Sequence, residues 1–175
     1  MRTHGKQDKL TITDTLRVQK GAKIVAVDSD GTEFTVDTDE LAKLDGTARV
    51  ETLAAASTLE AADSGKTLFL ALAGGFTTTL PAPAAGLNFK FIVATSPTTA
   101  YIIVTNGGAD IIIGGINELE VDTADDGPYD ANADTLNLVA NVAVIGDWVS
   151  FVSDGTSWYI TGQTNADGGV TTSTA

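Results

Sequence analysis

Apolar and polar residues alternate along most of this chain with the two-residue period of a β-strand, in short runs separated by turn residues. The clearest run is Gly146 to Ile160. Trp148 and Val149 begin a strand, Asp154-Gly155 make a turn, and Trp158, Tyr159 and Ile160 return. Asp-Gly between apolar runs signals a hairpin, because the turn needs positive φ and Gly supplies it without steric cost. In this alternation Trp148, Ser150 and Val152 point one way and Val149 and Phe151 the other. Trp158 and Ile160 share a face that Tyr159 does not. One face is therefore aromatic and assigned to the core, with Trp148, Trp158, Phe89 and Phe91 as its main side chains; the alternative is a sugar-stacking platform of Trp148, Trp158 and Tyr159.

The same pattern predicts strands over 67–72, 76–80, 89–93, 101–104, 110–113, 136–140, 148–153 and 157–161. Turns at Gly74-Gly75, Pro81 to Gly86, Ser96-Pro97, Asn106-Gly107-Gly108, Gly114-Gly115 and Asp154-Gly155 separate them. Eight short strands at this spacing predict an all-β sandwich or barrel, jelly-roll-like, over 58–163. Leu68 to Leu72, Ile111 to Ile113 and Val142 to Ile145 are apolar on both faces. Strands of that kind need cover on both sides, one from a second sheet and one from a neighbouring subunit.

Before this body, residues 1–57 form a small β-motif with one short helix. Leu10, Ile12, Leu16 and Val18 alternate, interrupted at Asp14. Residues 23–27 and 32–36 read as two strands joined at Asp30-Gly31. Asp37 to Gly46 reads as the helix, capped by Asp37 or Thr38 and closed by Gly46. The last segment, 164–175, is Gly, Thr, Ser and Asn with one Asp, and is expected to be a flexible tail.

Composition narrows the classes of function. Among 175 residues there is no Cys and one Met, so disulfides, thiolate nucleophiles and Cys-ligated metals are excluded. No stretch is long and apolar enough for a membrane helix, and 1–10 lacks the apolar core of a secretory signal. Charge is divided unevenly. Residues 1–50 carry 8 basic and 9 acidic side chains, whereas 51–175 carry 2 basic and 14 acidic ones, a net of −12. The first 23 residues are basic, with Arg2, Lys6, Lys9, Arg17, Lys20 and Lys23 against Asp8 and Asp14. The acidic body would repel phosphate, so nucleic acid is not an expected partner. The basic arm suits an anchor on an acidic surface.

Catalytic constellations are not legible. The single imidazole is His4, in the arm. Ser64-Gly65-Lys66-Thr67 lacks the upstream glycine of a phosphate loop. Glu118, Glu120, Asp122, Asp125, Asp126, Asp130 and Asp134 form an acidic span, but Ala124 and Ala133 stand where a calcium loop needs oxygen ligands. That span is assigned to a charged, edge-protecting loop, with a different oxygen-rich Ca²⁺ site as the alternative. Asp147 and Asp154 could be drawn as a hydrolytic carboxylate pair, but each flanks a strand end where Asp makes turn hydrogen bonds. No enzyme activity and no cofactor or metal is expected.

Several segments carry a resemblance. Leu59 to Thr67 (LEAADSGKT), Leu80 to Phe91 (LPAPAAGLNFKF), Gly146-Asp147-Trp148-Val149 and Asp154 to Trp158 (DGTSW) resemble the β-domain of tailed-phage virion structural proteins, above all capsid decoration (cement) proteins and head fibres. Asp39 to Gly46 (DELAKLDG) is similar to a short helical element of phage fibre and decoration proteins. The resemblance implies a structural protein on the outer capsid surface of a bacteriophage virion. Its partners would be the phage major capsid protein and itself, as a homotrimer at local threefold axes. The capsid contacts would come from the arm: Arg2, Lys6, Lys9, Leu10, Ile12, Leu16, Arg17, Val18, Lys20 and Lys23. The alternative is a head- or tail-fibre host-attachment module that binds cell-surface glycan.

Overall fold

A computed structural model describes residues 23–27, 33–37, 49–120 and 129–174. The chain divides into two compact units, 1–47 and 48–175. Within the first, β1 (Lys23–Val27) and β2 (Glu33–Asp37) pair antiparallel, with Lys23 opposite Asp37 and Val27 opposite Glu33. Asp37, expected to cap a helix, is instead the last residue of β2; the rest of the helix expected over 37–46 and the alternating run 10–18 lie outside the described residues.

The second unit stacks two mixed sheets around one core. The strands are β3 (Val50–Leu53), β4 (Ser57–Thr58), β5 (Thr67–Leu70), β6 (Phe76–Thr79), β7 (Asn88–Val93), β8 (Tyr101–Val104), β9 (Ile112–Glu118), β10 (Tyr129–Ala133), β11 (Thr135–Leu138), β12 (Trp148–Ser153), β13 (Trp158–Thr164) and β14 (Val170–Ser173). A seven-stranded sheet runs β10-β9-β13-β12-β7-β5-β3, and a five-stranded one β14-β11-β8-β6-β4. From β3 to β9 the chain changes sheet at every strand. Up to β8 each return lands parallel to the strand two before it: β3 on β5, β5 on β7, β4 on β6 and β6 on β8; β9 instead lands parallel to β13. This is a two-layer winding. A jelly roll is built from antiparallel strands, so that expectation is corrected, while the two-sheet β fold stands. The cause is connection length. Linkers such as Ala71–Gly75 can turn a corner between layers, but two strands joined within one layer would lie antiparallel.

The core is the inward half of each alternation. Leu68, Leu70, Phe89, Phe91, Val93, Val149, Phe151, Trp158 and Ile160 come from the seven-stranded sheet; Tyr101, Ile103, Leu136, Leu138 and Val170 come from the five-stranded one. Aromatic rings meet edge-on, with Phe91–Phe151 centroids 5.6 Å apart and Phe151–Trp158 6.4 Å apart, the arrangement their quadrupoles favour. Buried Tyr101 closes one end. Its hydroxyl lies 2.9 Å from the Thr95 carbonyl and 3.2 Å from that of Leu70, and it accepts the Leu72 N–H at 3.0 Å.

Several expectations need correction. Residues 50–53 and 57–58 are strands of the second unit, not part of the N-terminal motif. The tail is not free: β14 pairs with β11 and buries Val170. Val142 to Ile145 is a turn rather than a strand, with Ala143 buried and Ile145 exposed. Hydrophobic count alone misleads there, because Asn141 at φ 61° and Gly146 at φ 99° bend the backbone on either side. Trp148 is half-buried and faces away from the core.

Candidate functional site

The outward face of the seven-stranded sheet gathers the chemistry of the second unit. Strand alternation puts Val149, Phe151 and Ser153 inside, so Trp148, Ser150 and Val152 face outward on β12. Register then fixes their neighbours. Lys90 of β7 stands beside Ser150, and Thr67 of β5 beside Lys90. Asn88 stands beside Val152, and Val152 beside Tyr159 of β13. Between Gly65–Thr67, Asn88–Lys90 and Ser150–Val152 lies a depression of about 330 Å³.

The rim of this depression is built rigidly. Asn88 N–H donates to Ser64 Oγ at 3.1 Å, Gly65 N–H to the Asn88 carbonyl at 2.8 Å, and Lys90 N–H to the Lys66 carbonyl at 3.1 Å. The loop before β5 is thus clipped to β7. The two lysines of the depression differ. Lys66 pairs with Glu51 and Asp63, both at 2.7 Å. Burial pulls its pKa down, but those two carboxylates outweigh it and hold the ammonium above its ordinary value. Lys90 instead lies over the Trp148 ring, 4.3 Å from its centroid, a cation–π contact.

Asp147 and Asp154 are separated by the length of β12, roughly 20 Å at 3.3 Å per residue, too far for a hydrolytic carboxylate pair. Asp147 is buried and accepts Val144 N–H at 2.9 Å, Asn165 N–H at 2.9 Å and the Thr164 hydroxyl at 3.1 Å. It ties the start of β12 to the end of β13. Asp154 shapes the hairpin turn. It accepts Ser157 and Thr156 N–H at 2.8 Å each and the Thr156 hydroxyl at 2.9 Å. Those bonds, Ser157 N–H foremost, lower its pKa to about 2. Its charge in turn raises that of Tyr159, whose hydroxyl lies 3.3 Å away. The turn spans 154–157 rather than two residues, and Gly155 at φ 107° supplies its left-handed step.

In the acidic span, Glu118 accepts Gly168 N–H at 3.0 Å and Glu120 accepts Asp167 N–H at 3.3 Å. These carboxylates fasten the loop between β13 and β14. Asp134 is buried, with the Thr135 hydroxyl at 2.7 Å. Among the described residues no three His, Cys, Asp or Glu side chains gather as a metal site. Residues 121–128 lie outside the described residues.

Of the expected core aromatics, Phe89, Phe91 and Trp158 pack together inside. Of the expected capsid contacts, Arg2, Lys6, Lys9, Leu10, Ile12, Leu16, Arg17, Val18 and Lys20 lie outside the described residues, as does His4. Lys23 opens β1. Sequence reasoning missed the Lys90–Trp148 pair. The signal was present in the alternation, which put Trp148 opposite Phe151, but both faces carried an aromatic and the wrong one was given to the core. A comparison with known protein families found no matching model, and a comparison with curated proteins found no significant match.

Proposed function

We propose that the protein is a capsid decoration (cement) protein that binds the outer surface of a phage major capsid lattice. It sits there as a homotrimer on local threefold axes and stabilises the shell. Residues 1–47 are the docking part, with the basic arm and the β1–β2 hairpin. Residues 48–175 are the outward body.

The observation that carries this reading is that the division between units coincides with the division of charge. Residues 1–47 hold 7 basic and 9 acidic side chains, a net of −2, with a basic excess in the first 23; residues 48–175 hold 3 and 14, a net of −11. An acidic body is repelled by other acidic surfaces, while a basic arm attracts an acidic shell. Apolar contacts from Leu10, Ile12, Leu16 and Val18 would set release. Binding at a symmetry axis is multivalent, so weak contacts per subunit sum to durable attachment, and attachment stabilises the assembled state by mass action.

Self-association is supported by the outward face of the five-stranded sheet. Thr77, Thr79, Ile102, Val104, Thr135 and Asn137 face outward there, none of them ionisable. The test uses purified undecorated capsids and the full chain. Association should slow as salt rises, with little change in release, because screening over about 8 Å at physiological salt weakens steering by the arm. Association rates that stay flat from low to high salt would sink the arm's role. A stable monomer by light scattering at micromolar concentration would sink the trimer.

A further inference from the structure

We propose that the depression on the outward face of the seven-stranded sheet is a binding site for a carboxylate-bearing saccharide, with Lys90 as the carboxylate anchor. The site belongs to the second unit alone and is separate from the docking reading, so either can fail without the other.

The first observation is the state of Lys90. The sequence from 51 to 175 holds 14 acidic side chains and two lysines. Lys66 takes two carboxylates within 2.7 Å. Among the described residues none pairs with Lys90, whose ammonium rests on the Trp148 ring. Among the described residues one cation of an acidic body is thus left without an anion, on an interior strand of its widest sheet and at a depression of about 330 Å³. That volume lies in the range of small-ligand sites. An ammonium has three donors and no acceptor, so it selects an anion.

The second observation is what surrounds the ammonium. Thr67 and Ser150 flank it in the register across three strands, and Asn88 lies one step along β7. Hydroxyl and amide groups both donate and accept. A sugar hydroxyl uses both capacities, whereas a phosphate would leave the acceptors idle. The borders are apolar: Trp148 on one side, Val152 and Tyr159 on the other, the last two about half exposed. Such surfaces cover the C–H face of a pyranose ring. The net −11 of the unit disfavours densely charged polymers, so the ligand is a sugar with a single carboxylate, a uronic or sialic acid unit. The clipped rim holds these groups in place before the ligand arrives, which lowers the ordering cost of binding.

The test titrates the full chain with two acidic probes, the α-methyl glycoside of N-acetylneuraminic acid and a glucuronate-containing tetrasaccharide, and with neutral maltotetraose. Binding is read by calorimetry and by saturation-transfer NMR. At least one acidic probe should bind saturably and maltotetraose should not. Lys90→Gln should weaken binding by about tenfold to a hundredfold, the range for a hydrogen bond to a charged group. Lys90→Arg should retain most of it. Should Lys90→Gln fail to fold, Ser150→Ala serves as the second variant, with a loss of about two- to tenfold. No saturable binding of either acidic probe overturns the proposal. So does equal binding of maltotetraose, or an affinity unchanged in folded Lys90→Gln. Capsid attachment by the same variants should equal that of the parent chain.

Discussion

The two sheets of residues 48–175 share a core and differ outside. Inward, both supply Leu, Ile, Val and aromatic rings to one interior. Outward, the five-stranded sheet shows mostly β-branched, uncharged side chains, with Ile102 between Thr77 and Asn137 and Val104 between Thr79 and Thr135. The seven-stranded sheet shows Lys90 on Trp148, with Ser150, Asn88 and Tyr159 around them. The inner faces answer to the same requirement, exclusion of water, and so use the same residues. The outer faces are free of it and can diverge. A stiff, uncharged face suits contact with another copy, because β-branched side chains have little rotamer freedom left to lose. A face with a cation and hydrogen-bonding groups suits a small polar ligand.

The largest effect should erase the contrast altogether. Trp158 is fully buried between Phe89 and Phe151. Trp158→Ala should cost about 3–5 kcal/mol, and both faces should be lost in a single transition because they share one core. Chemical denaturation followed by hydrogen exchange checks this; protection that survives in β8 and β11 while β12 and β13 open would show two separable layers.

Gly162→Ala should strike one face first. A Cβ there would lie 2.4 Å from the Trp148 carbonyl oxygen and 3.0 Å from the Val149 Cα. The backbone of β12 and β13 would have to part, at a cost of about 1–3 kcal/mol. Amide exchange should quicken in β12 and β13 and change little in β8 and β11.

Acid should act on the Asp154 end of the seven-stranded sheet. The Asp154 pKa falls from its ordinary value of 3.8 to about 2 on folding. A depressed carboxylate pKa contributes stability that is fully present above pH 3.8 and is lost as pH falls towards 2. The melting temperature of the parent chain should therefore drop across that window more than that of Asp154→Asn. Parallel curves for the two proteins would show that the turn bonds do not depend on the charge.

The smallest effects should sharpen the contrast most. Thr79→Ala and Ser150→Ala remove outward hydroxyls from the two faces, and each should change stability by no more than about 0.5 kcal/mol. Their other effects should not overlap. Thr79→Ala should weaken self-association in analytical ultracentrifugation without altering sugar binding, and Ser150→Ala the reverse. Equal effects of both variants on both readouts would remove the distinction between the faces.

Much of this was legible in the chain. Each of the eight strands expected between 67 and 161 has a counterpart, because a period of two is visible wherever one side of a strand is buried and the other wet; the turn expected at Gly114-Gly115 is corrected, since β9 runs through both glycines to Glu118. The Asp154-Gly155 hairpin was legible for a local reason: turn chemistry acts over four residues. What the sequence could not show lies at longer range. β3, β4, β10 and β14 are short or polar, and their strand character comes from the neighbour they pair with, not from their own residues. Val142 to Ile145 has the composition of a strand and none of the pairing. The parallel winding depends on which layer each linker reaches. The place of Trp148 outside, under Lys90, was decided by register, since a one-residue choice sends a side chain to the opposite face and both choices offered an aromatic. Local alternation and turns thus determined that the chain is built of strands; the pairing of strands distant in sequence decided which sheet holds each, which face is core, and which groups meet on the surface.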